Sequence, residues 1–224
     1  TSATSDVVTV LKERFLNEAR ILRKLSSNPY IVNMYEFKEL DDGTPYYIMP
    51  YLGKSLVDLI GRDVMDVAAL ADMPQEEHAR PLPLNQAVII LRQLLMALKD
   101  VHNADLVHRD IKPANILFNL KGEVQLADFG IAKMPDGDQS MSGVGMGSRR
   151  YMSPEQRESA KHVDPRSDIF SVGVLAYRMI TGTIPQGRFA DPKEFMPALS
   201  QKLNDLIINC MDVKREDRPH DAGV

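Results

Sequence analysis

The spacing of apolar residues in the first quarter of the chain predicts a helix followed by a β-hairpin. Residues 7–26 place apolar side chains three and four positions apart, as one face of an amphipathic helix requires. The segments 30–40 and 45–52 are rich in aromatic and β-branched residues, and the turn sequence DDGT lies between them. A second, shorter helix is predicted over residues 54–61.

Beyond residue 83 the pattern becomes mainly helical. Residues 84–103 carry a single apolar stripe and predict a long amphipathic helix. Two short strands are predicted at 114–118 and 123–129. Residues 167–182 are apolar almost all round, which is typical of a helix buried inside a domain, and Gly182 is suited to cap its C-terminus.

Residues 61–83 interrupt the periodic pattern with acidic residues and prolines. We expect an irregular surface insertion here, which is either disordered or docks a partner. After the buried helix, two further helical segments are predicted, one near 196–211 and one at the end of the chain. The elements together predict an α+β fold with two lobes: a small β-rich lobe over 1–52 and a mainly α-helical lobe over 53–224.

Composition narrows the function classes. The formal net charge of −4 gives no basic surface of the kind that binds nucleic acid. No apolar run approaches the roughly 20 residues of a membrane span, and the five histidines do not fall at metal-ligand spacing. Cys210 is the only cysteine, so it forms no internal disulfide; this suits a reducing compartment and predicts a cytoplasmic protein.

Several polar motifs follow one another in the second half of the chain. The segment RDIKPANIL places Asp110 and Asn115 on a loop, because Pro113 interrupts any helix there. ADFG follows with Asp128, and YMSPEQ follows with Glu155.

This order of motifs resembles that of the eukaryotic-type (Hanks-type) protein kinases. The sequences RDIKPANIL and YMSPEQ are similar to those of the bacterial members of this family. Lys112, two residues after Asp110, points to the serine/threonine branch. The resemblance covers nearly the whole chain. It implies a protein-kinase-like bilobal fold and transfer of the ATP γ-phosphoryl group to Ser/Thr hydroxyls of protein substrates.

The resemblance also implies a role for each polar residue of these motifs. Asp110 would accept or orient the proton of the substrate hydroxyl, and Lys112 would place a positive charge near the transferred phosphate. Asn115 and Asp128 would offer the oxygen ligands that Mg²⁺ prefers. The alternative for all four is an ordinary solvated or capping position on a loop.

Other matched residues have structural roles in such kinases. Glu155 is expected to pair with Arg218, and Asp168 is expected to accept backbone hydrogen bonds near Arg109. His108 is expected to be a packed core histidine and not a base. The internal stack that would link the two lobes consists of Leu22, Met34, His108 and Phe129.

The segment YYIMPYL resembles the hinge that contacts adenine. Met49 would line the back of the pocket, Pro50 and Leu52 would present backbone groups, and Leu117 would form its apolar floor. Proline lacks only the N–H, so its carbonyl remains usable at this position. The alternative is an ordinary edge strand.

Regulation can be inferred from the same resemblance. Glu18 takes the position of the helix glutamate that pairs with a strand lysine in such kinases. Arg109 is placed to pair with a phosphate on the activation segment, which is the stretch between Asp128 and Glu155. Ser140 and Ser142 are the candidate phosphorylation sites, and Ser148 is expected to contact the catalytic loop. Autophosphorylation in trans would require a homodimer.

A Gly-rich phosphate loop and the strand lysine are not found in the chain. The resemblance places that lysine just before Thr1, so we expect a kinase domain with a truncated small lobe. The sequence GVGMGS at 143–148 lies in the activation segment and is rejected as a phosphate loop. Two alternatives therefore remain: a pseudokinase or scaffold that binds partners without catalysis, and a small-molecule kinase, which would lack the SPE segment.

Overall fold

The chain combines helices with two small antiparallel sheets. A computed structural model describes residues 2–64, 66–129, 148–158 and 163–223. The helices are α1 (Ser2–Lys24), α2 (Leu56–Ile60), α3 (Val67–Ala71), α4 (Leu84–Asn103), α5 (Pro154–Glu158), α6 (Pro165–Thr181), α7 (Pro192–Phe195) and α8 (Gln201–Cys210). The strands are β1 (Glu36–Glu39), β2 (Pro45–Ile48), β3 (Lys54–Ser55), β4 (Ile116–Phe118) and β5 (Val124–Leu126). Short 3-10 turns lie at Gln75–Glu77, Pro113–Asn115, Ser148–Arg150 and Arg215–Asp217.

The first helix and the hairpin pack against each other through aromatic rings. Helix α1 begins at Ser2, earlier than the predicted start at residue 7, and no Gly or Pro interrupts its sequence. The Phe15 ring of α1 stacks on Tyr47 of β2, with ring centroids 4.9 Å apart, and lies 6.3 Å from the ring of Phe37 on β1. These contacts fix one face of α1 against the β1–β2 hairpin.

Strand β1 is shorter than the predicted strand over 30–40, because the first residues of that segment pair elsewhere. Ile31 forms a parallel bridge with Leu126, and Val32 donates its N–H to the Leu126 carbonyl at 3.0 Å. The segment before β1 is therefore bound to the second sheet, which has the order β3-β4-β5.

Helix α6 is buried along most of its length, as its apolar sequence predicted. Its N-terminus is capped by Asp164, whose side chain accepts the Arg166 N–H at 2.9 Å, and its C-terminus ends at Gly182 with φ 78°. Gly173 allows close approach of α8, since a Cβ there would lie 2.7 Å from the Cβ of Cys210. Cys210 itself is largely buried, and burial raises the pKa of its thiol to about 11.

The prediction of an irregular surface insertion at 61–83 is wrong for the base of this segment. The chain leaves and returns at one place, because Arg80 donates its N–H to the Ile60 carbonyl and Arg62 donates to the Glu77 carbonyl, each at 2.8 Å. Gly61 is required at this closure: its φ is 77°, and a Cβ would lie 2.0 Å from the His78 carbonyl oxygen.

A fully buried arginine holds this loop to the core. Arg178 of α6 donates from Nε to the Asp63 carboxylate at 2.5 Å and from Nη2 to the Ile60 carbonyl at 2.9 Å. Its Nη1 also donates to the Arg80 carbonyl at 3.3 Å. A buried guanidinium needs this number of acceptors. The predicted insertion is therefore an ordered loop that supplies an anion and carbonyl oxygens to Arg178.

Among the described helices, none has both the length and the apolar character needed to cross a bilayer.

We expect the Arg178→Met variant to lose about 3–5 kcal/mol of unfolding free energy, because it leaves a largely buried carboxylate and several carbonyls without a donor. Arg62→Met is the matched control: Arg62 pairs with Glu77 at the surface, 3.0 Å apart, where such a pair contributes less than about 1 kcal/mol. Urea denaturation of both variants checks this. Equal losses in the two variants would contradict the central role of Arg178.

Candidate active site

The loop that carries Asp110 and Asn115, here called the catalytic loop, is held in place by the buried carboxylate of Asp168. Asp168 lies in the first turn of α6 and accepts the backbone N–H groups of His108 and Arg109, at 2.8 Å each. His102 lies 3.0 Å from the same carboxylate. The backbone at Arg109 adopts φ 70°, an uncommon conformation for a residue with a side chain. The predicted acceptor role of Asp168 agrees with this geometry.

The side chain of Asp110 sits at the centre of a short polar network. Lys112 Nζ lies 2.8 Å from Asp110 Oδ2. Asn115 Nδ2 donates to the same oxygen and to the Asp110 backbone carbonyl, each at 2.8 Å. Asp110 is 6% exposed. The Lys112 ammonium group and the Asn115 amide therefore orient the Asp110 carboxylate.

His108 occupies the core below this network, as predicted. It is fully buried, and its ring lies 4.7 Å from that of Phe129. Its Nε2–H donates to the Ala127 carbonyl at 3.1 Å, while its Nδ1 accepts the Asp110 N–H at 3.3 Å. This pattern requires the neutral imidazole, and burial lowers the pKa of His108 in the same sense. Leu22 and Met34 belong to the same apolar cluster.

Asp128 is brought next to the catalytic loop by its neighbour. Ala127 donates its N–H to the Asn115 carbonyl at 3.0 Å and accepts from His108 on the other side. Asp128 follows with φ 55° and an exposed side chain. Two hydrogen bonds on Ala127 therefore fix where the Asp128 carboxylate emerges.

Glu18 of α1 lies within the electrostatic influence of this carboxylate. Burial raises the pKa of Glu18 to about 7, with a further contribution from the negative charge of Asp128. Burial likewise raises the pKa of Tyr47 to about 12, with smaller contributions from Glu18 and Asp128. No lysine or arginine of the described residues pairs with Glu18. The structure thus brings Glu18 to the site, without the cation that the resemblance assigned to it.

The donor set of the site fits a divalent metal ion that is shared with a phosphate-bearing substrate. Asn115 turns its amide nitrogen to Asp110, so the amide oxygen is its atom for ligation. Asp128 adds an exposed carboxylate. Within the described ranges, no three acidic, His or Cys side chains gather into a metal-binding group. Mg²⁺ is commonly bound by one or two carboxylates together with substrate phosphates and water, so the two-residue set is sufficient.

The predicted hinge residues lie beside the second sheet. Met49 and Pro50 directly follow β2, and Leu52 lies two residues before Lys54, which pairs with Phe118. Leu117 pairs with Ser55 in the same ladder. The end of the hinge segment and the expected floor residue are therefore neighbours across β3 and β4.

Of the predicted regulatory serines, Ser140 and Ser142 lie outside the described residues, and the side chain of Ser148 is also outside them. Arg109, their predicted partner, is partly buried. Its Nη1 atom is buried and has no hydrogen-bond partner among the described residues. A buried guanidinium nitrogen without an acceptor is costly and leaves room for an anion.

The predicted pairing of Glu155 with Arg218 is confirmed. Arg218 Nη1 and Nη2 donate to the two carboxylate oxygens of Glu155 at 2.8 and 3.0 Å. Burial alone would raise the pKa of Glu155, but the hydrogen bonds from Arg218 and Ser167 hold it at about 2. The carboxylate stays ionised, so α5 remains tied to α6 and to the end of the chain.

Sequence reasoning missed two contacts of the segment that precedes and includes α5. Gln156 Nε2 donates to the Arg109 carbonyl at 3.0 Å, which ties α5 directly to the catalytic loop. The Tyr151 hydroxyl donates to Asp63 at 2.6 Å. The only signal in the sequence was the position of Tyr151 and Gln156 within the YMSPEQ motif, since nothing local indicates their partners.

We expect the Glu18 carboxyl to titrate near pH 7 in a ¹³C NMR experiment. Asp128→Asn should lower this pKa but leave it above the ordinary value of 4.5, because burial is the larger cause and persists. Asp205→Asn, an exposed change on α8, is the matched control and should leave the titration unchanged. A Glu18 pKa near 4.5 in the unaltered protein would contradict the assigned burial.

The same shift has a consequence for stability. Because the folded state holds the Glu18 proton up to about pH 7 and the unfolded state releases it near 4.5, the unfolding free energy should fall as pH rises through this interval. Glu18→Gln should remove that part of the pH dependence, which denaturation at several pH values measures. If the unfolding free energy of Glu18→Gln depends on pH as that of the unaltered protein does, this explanation is contradicted.

Comparison with known proteins agrees with this site. The family model described as "Protein kinase domain" matches residues 2–222. The chain is 33% identical to the probable serine/threonine-protein kinase CPE1738 of Clostridium perfringens, over 92% of this chain and 31% of that protein. It is 34% identical to the serine/threonine-protein kinase PknK of Mycobacterium tuberculosis, over 87% of this chain and 16% of that protein. It is 33% identical to the tyrosine-protein kinase MasK of Myxococcus xanthus, over 92% of this chain and 33% of that protein.

The chain thus spans a third or less of the length of these three curated relatives. The family model, in contrast, covers the chain almost from end to end. Together with the α+β fold and the Asp110, Asn115 and Asp128 arrangement, this match shows that the chain belongs to the protein kinase domain family.

Proposed function

We propose that this chain is the kinase domain of a serine/threonine protein kinase, which transfers the γ-phosphoryl group of ATP to Ser or Thr hydroxyls of proteins. The observation that carries the proposal is the carboxylate of Asp110, which Lys112 and Asn115 contact at 2.8 Å each. Phosphoryl transfer needs positioning and charge stabilisation more than covalent chemistry from the protein. A fixed carboxylate beside a lysine supplies both.

Membership of the family implies ATP as the phosphoryl donor and a divalent metal ion. We assign Mg²⁺ as that ion, held by the Asn115 amide oxygen and the Asp128 carboxylate, because both are hard oxygen ligands. When bound, the metal and nucleotide supply the electrophilic phosphorus and neutralise its charge. In this proposal Asp110 orients the acceptor hydroxyl and takes its proton, while Lys112 offsets charge that develops on the transferred group.

The adenine of ATP would lie between two lobes over 1–52 and 53–224, against the hinge that joins them. Met49, Pro50 and Leu52 would line its edge, and Leu117 would lie under the ring. The adjacency of β3 and β4 supports this placement, because it sets the end of the hinge segment beside Leu117.

Regulation by activation-segment phosphorylation forms part of the proposal. The buried Arg109 Nη1 without a partner among the described residues supports it, since a phosphate on Ser140 or Ser142 would give this atom an acceptor. Ser148 would contact the catalytic loop. Such modification would take place in trans within a homodimer.

We further propose that the protein acts in the cytoplasm. Its single cysteine, Cys210, and its use of ATP favour this location.

One observation favours the alternative of a pseudokinase or scaffold. Glu18 has no cationic partner among the described residues and faces the like charge of Asp128, which is unfavourable for gripping a nucleotide. The contacts of Lys112 and Asn115 with the Asp110 carboxylate argue against the pseudokinase alternative. A small-molecule kinase is disfavoured by the Glu155–Arg218 pair, which belongs to the SPE segment that such enzymes lack.

Intact mass spectrometry of the full-length gene product, incubated with ATP and Mg²⁺, tests the proposal. We expect gains of about 80 Da per phosphate, which Asp110→Asn abolishes. Asp105→Asn is the matched control: Asp105 is exposed and has φ 58°, a conformation that asparagine also accepts. Phosphoamino acid analysis then decides between serine/threonine and tyrosine acceptors.

If the protein binds nucleotide but gains no mass, the catalytic proposal is contradicted and the pseudokinase alternative is favoured. Ser140→Ala and Ser142→Ala test the regulatory part separately. If phosphate gain and activity are unchanged when both serines are replaced, the proposed sites are wrong while the kinase assignment stands.

A further inference from the structure

An arginine-lined cavity lies beside the segment that leads into α5. Its volume is about 440 Å³, and it is lined by Arg149, Arg150 and Arg157 together with residues 184–187 of the loop after α6. We call it the arginine pocket. None of its described lining residues is acidic, although the chain as a whole has 31 acidic against 27 basic residues. The charge of these lining residues is therefore opposite to the net charge of the protein.

Among the residues that the structure describes, no carboxylate pairs with the three arginines of the arginine pocket. Arg150 donates from Nη1 to the backbone carbonyl of Asp63 at 2.7 Å, so it is anchored by a neutral group. The Asp63 carboxylate itself is bound by Arg178 and the Tyr151 hydroxyl. Within the described part of the chain, neither Arg149 nor Arg157 has a side-chain ion pair or hydrogen bond.

The arginines of the pocket differ in how they are held. Arg150 is held by Asp63, which in turn is fixed to the buried Arg178. Arg149 and Arg157 are exposed, and no described residue hydrogen-bonds their side chains. One guanidinium is thus preorganised, while two others can adjust to a ligand, and guanidinium groups pair with carboxylates and phosphates in a planar, bidentate manner.

The pocket is close to the reacting centre through α5. Gln156 donates to the carbonyl of Arg109, which precedes Asp110, and Arg157 follows Gln156. Adding the spans of these linked groups places the Cα atoms of Arg157 and Asp110 within about 18 Å of each other. An extended peptide covers that distance in about five residues.

We propose that the arginine pocket binds an anionic side chain of the protein substrate within about five residues of the phosphorylated hydroxyl, so that the enzyme selects acidic sequences. The shared chemistry is an oxyanion group, either the carboxylate of Asp or Glu or the phosphoryl group of a previously modified residue. This inference rests on the proposed kinase function, because it names the substrate class of that same site.

The test uses the full-length gene product and synthetic peptides of eleven residues with one central serine and neutral flanks. A single Glu, Gln or phosphoserine is placed in turn at each flanking position. We expect kcat/KM for the Glu peptide to exceed that for the Gln peptide about fivefold at one or two adjacent positions. The gain should lie mainly in KM, since the contact is made equally in the ground and transition states, and it should shrink as salt is raised.

Variants assign the effect to the pocket. Arg149→Gln combined with Arg157→Gln should remove the preference for Glu while changing the rate on the Gln peptide less than about twofold. Arg92→Gln, an exposed arginine on α4, is the matched control and should keep the preference. Arg157→Lys keeps the charge but loses bidentate pairing, so it should retain part of the preference. Melting temperatures confirm that the variants fold.

Peptide binding is measured separately by fluorescence polarisation, with the central serine replaced by alanine. Equal kcat/KM for Glu and Gln peptides at every position, or a preference that survives the double variant, would overturn the inference while leaving the kinase function intact. Preferential binding of Glu peptides without phosphorylation of any peptide would support the pocket and overturn the function. A preference for phosphoserine over Glu identifies the phosphoryl group as the source of the oxyanion.

Discussion

A buried carboxylate must find hydrogen-bond donors, and two of the donors to Asp168 are backbone N–H groups of the catalytic loop. The backbone N–H groups of His108 and Arg109 both point to this one side chain. They hold the left-handed backbone at Arg109, which a free loop would avoid. The position of Asp110, one residue further, follows from this constraint.

Helix α6 extends the same principle along its length. The helix is buried along most of its length, so the polar side chains of Ser171 and Arg178 need specific hydrogen-bond partners. Ser171 donates to the Tyr151 carbonyl, and Arg178 binds Asp63 at the other end. A few polar side chains on a buried helix thereby attach the catalytic loop, the segment before α5 and the loop at 61–83 to one rigid element. Loops that carry chemistry are commonly positioned in this way by a scaffold.

The sequence predicted the elements and residues whose signal is local. Apolar periodicity identified α4 and α6, and the spacing of Asp110, Asn115 and Asp128 identified the site through its resemblance to a family. Long-range pairing was not readable: Ile31 pairs with Leu126, and this shortens β1. The loop at 61–83 was misjudged for the same reason, because its prolines and acidic residues are visible locally while its buried partner Arg178 lies more than a hundred residues away.

The distribution of charge separates two tasks within a small volume. Glu18, Asp110 and Asp128 gather carboxylates where a metal ion and its nucleotide would bind. Burial raises the pKa of Glu18, and the negative charge of Asp128 raises it further. The arginine pocket is lined by Arg157, which follows Gln156, the residue that ties α5 to the catalytic loop. A cation would be drawn to the carboxylates and an acidic peptide to the arginines, so the two ligands would have separate sites. Asp63 contributes to this separation, because its carboxylate binds Arg178 and the Tyr151 hydroxyl, while Arg150 of the pocket contacts only its neutral backbone carbonyl.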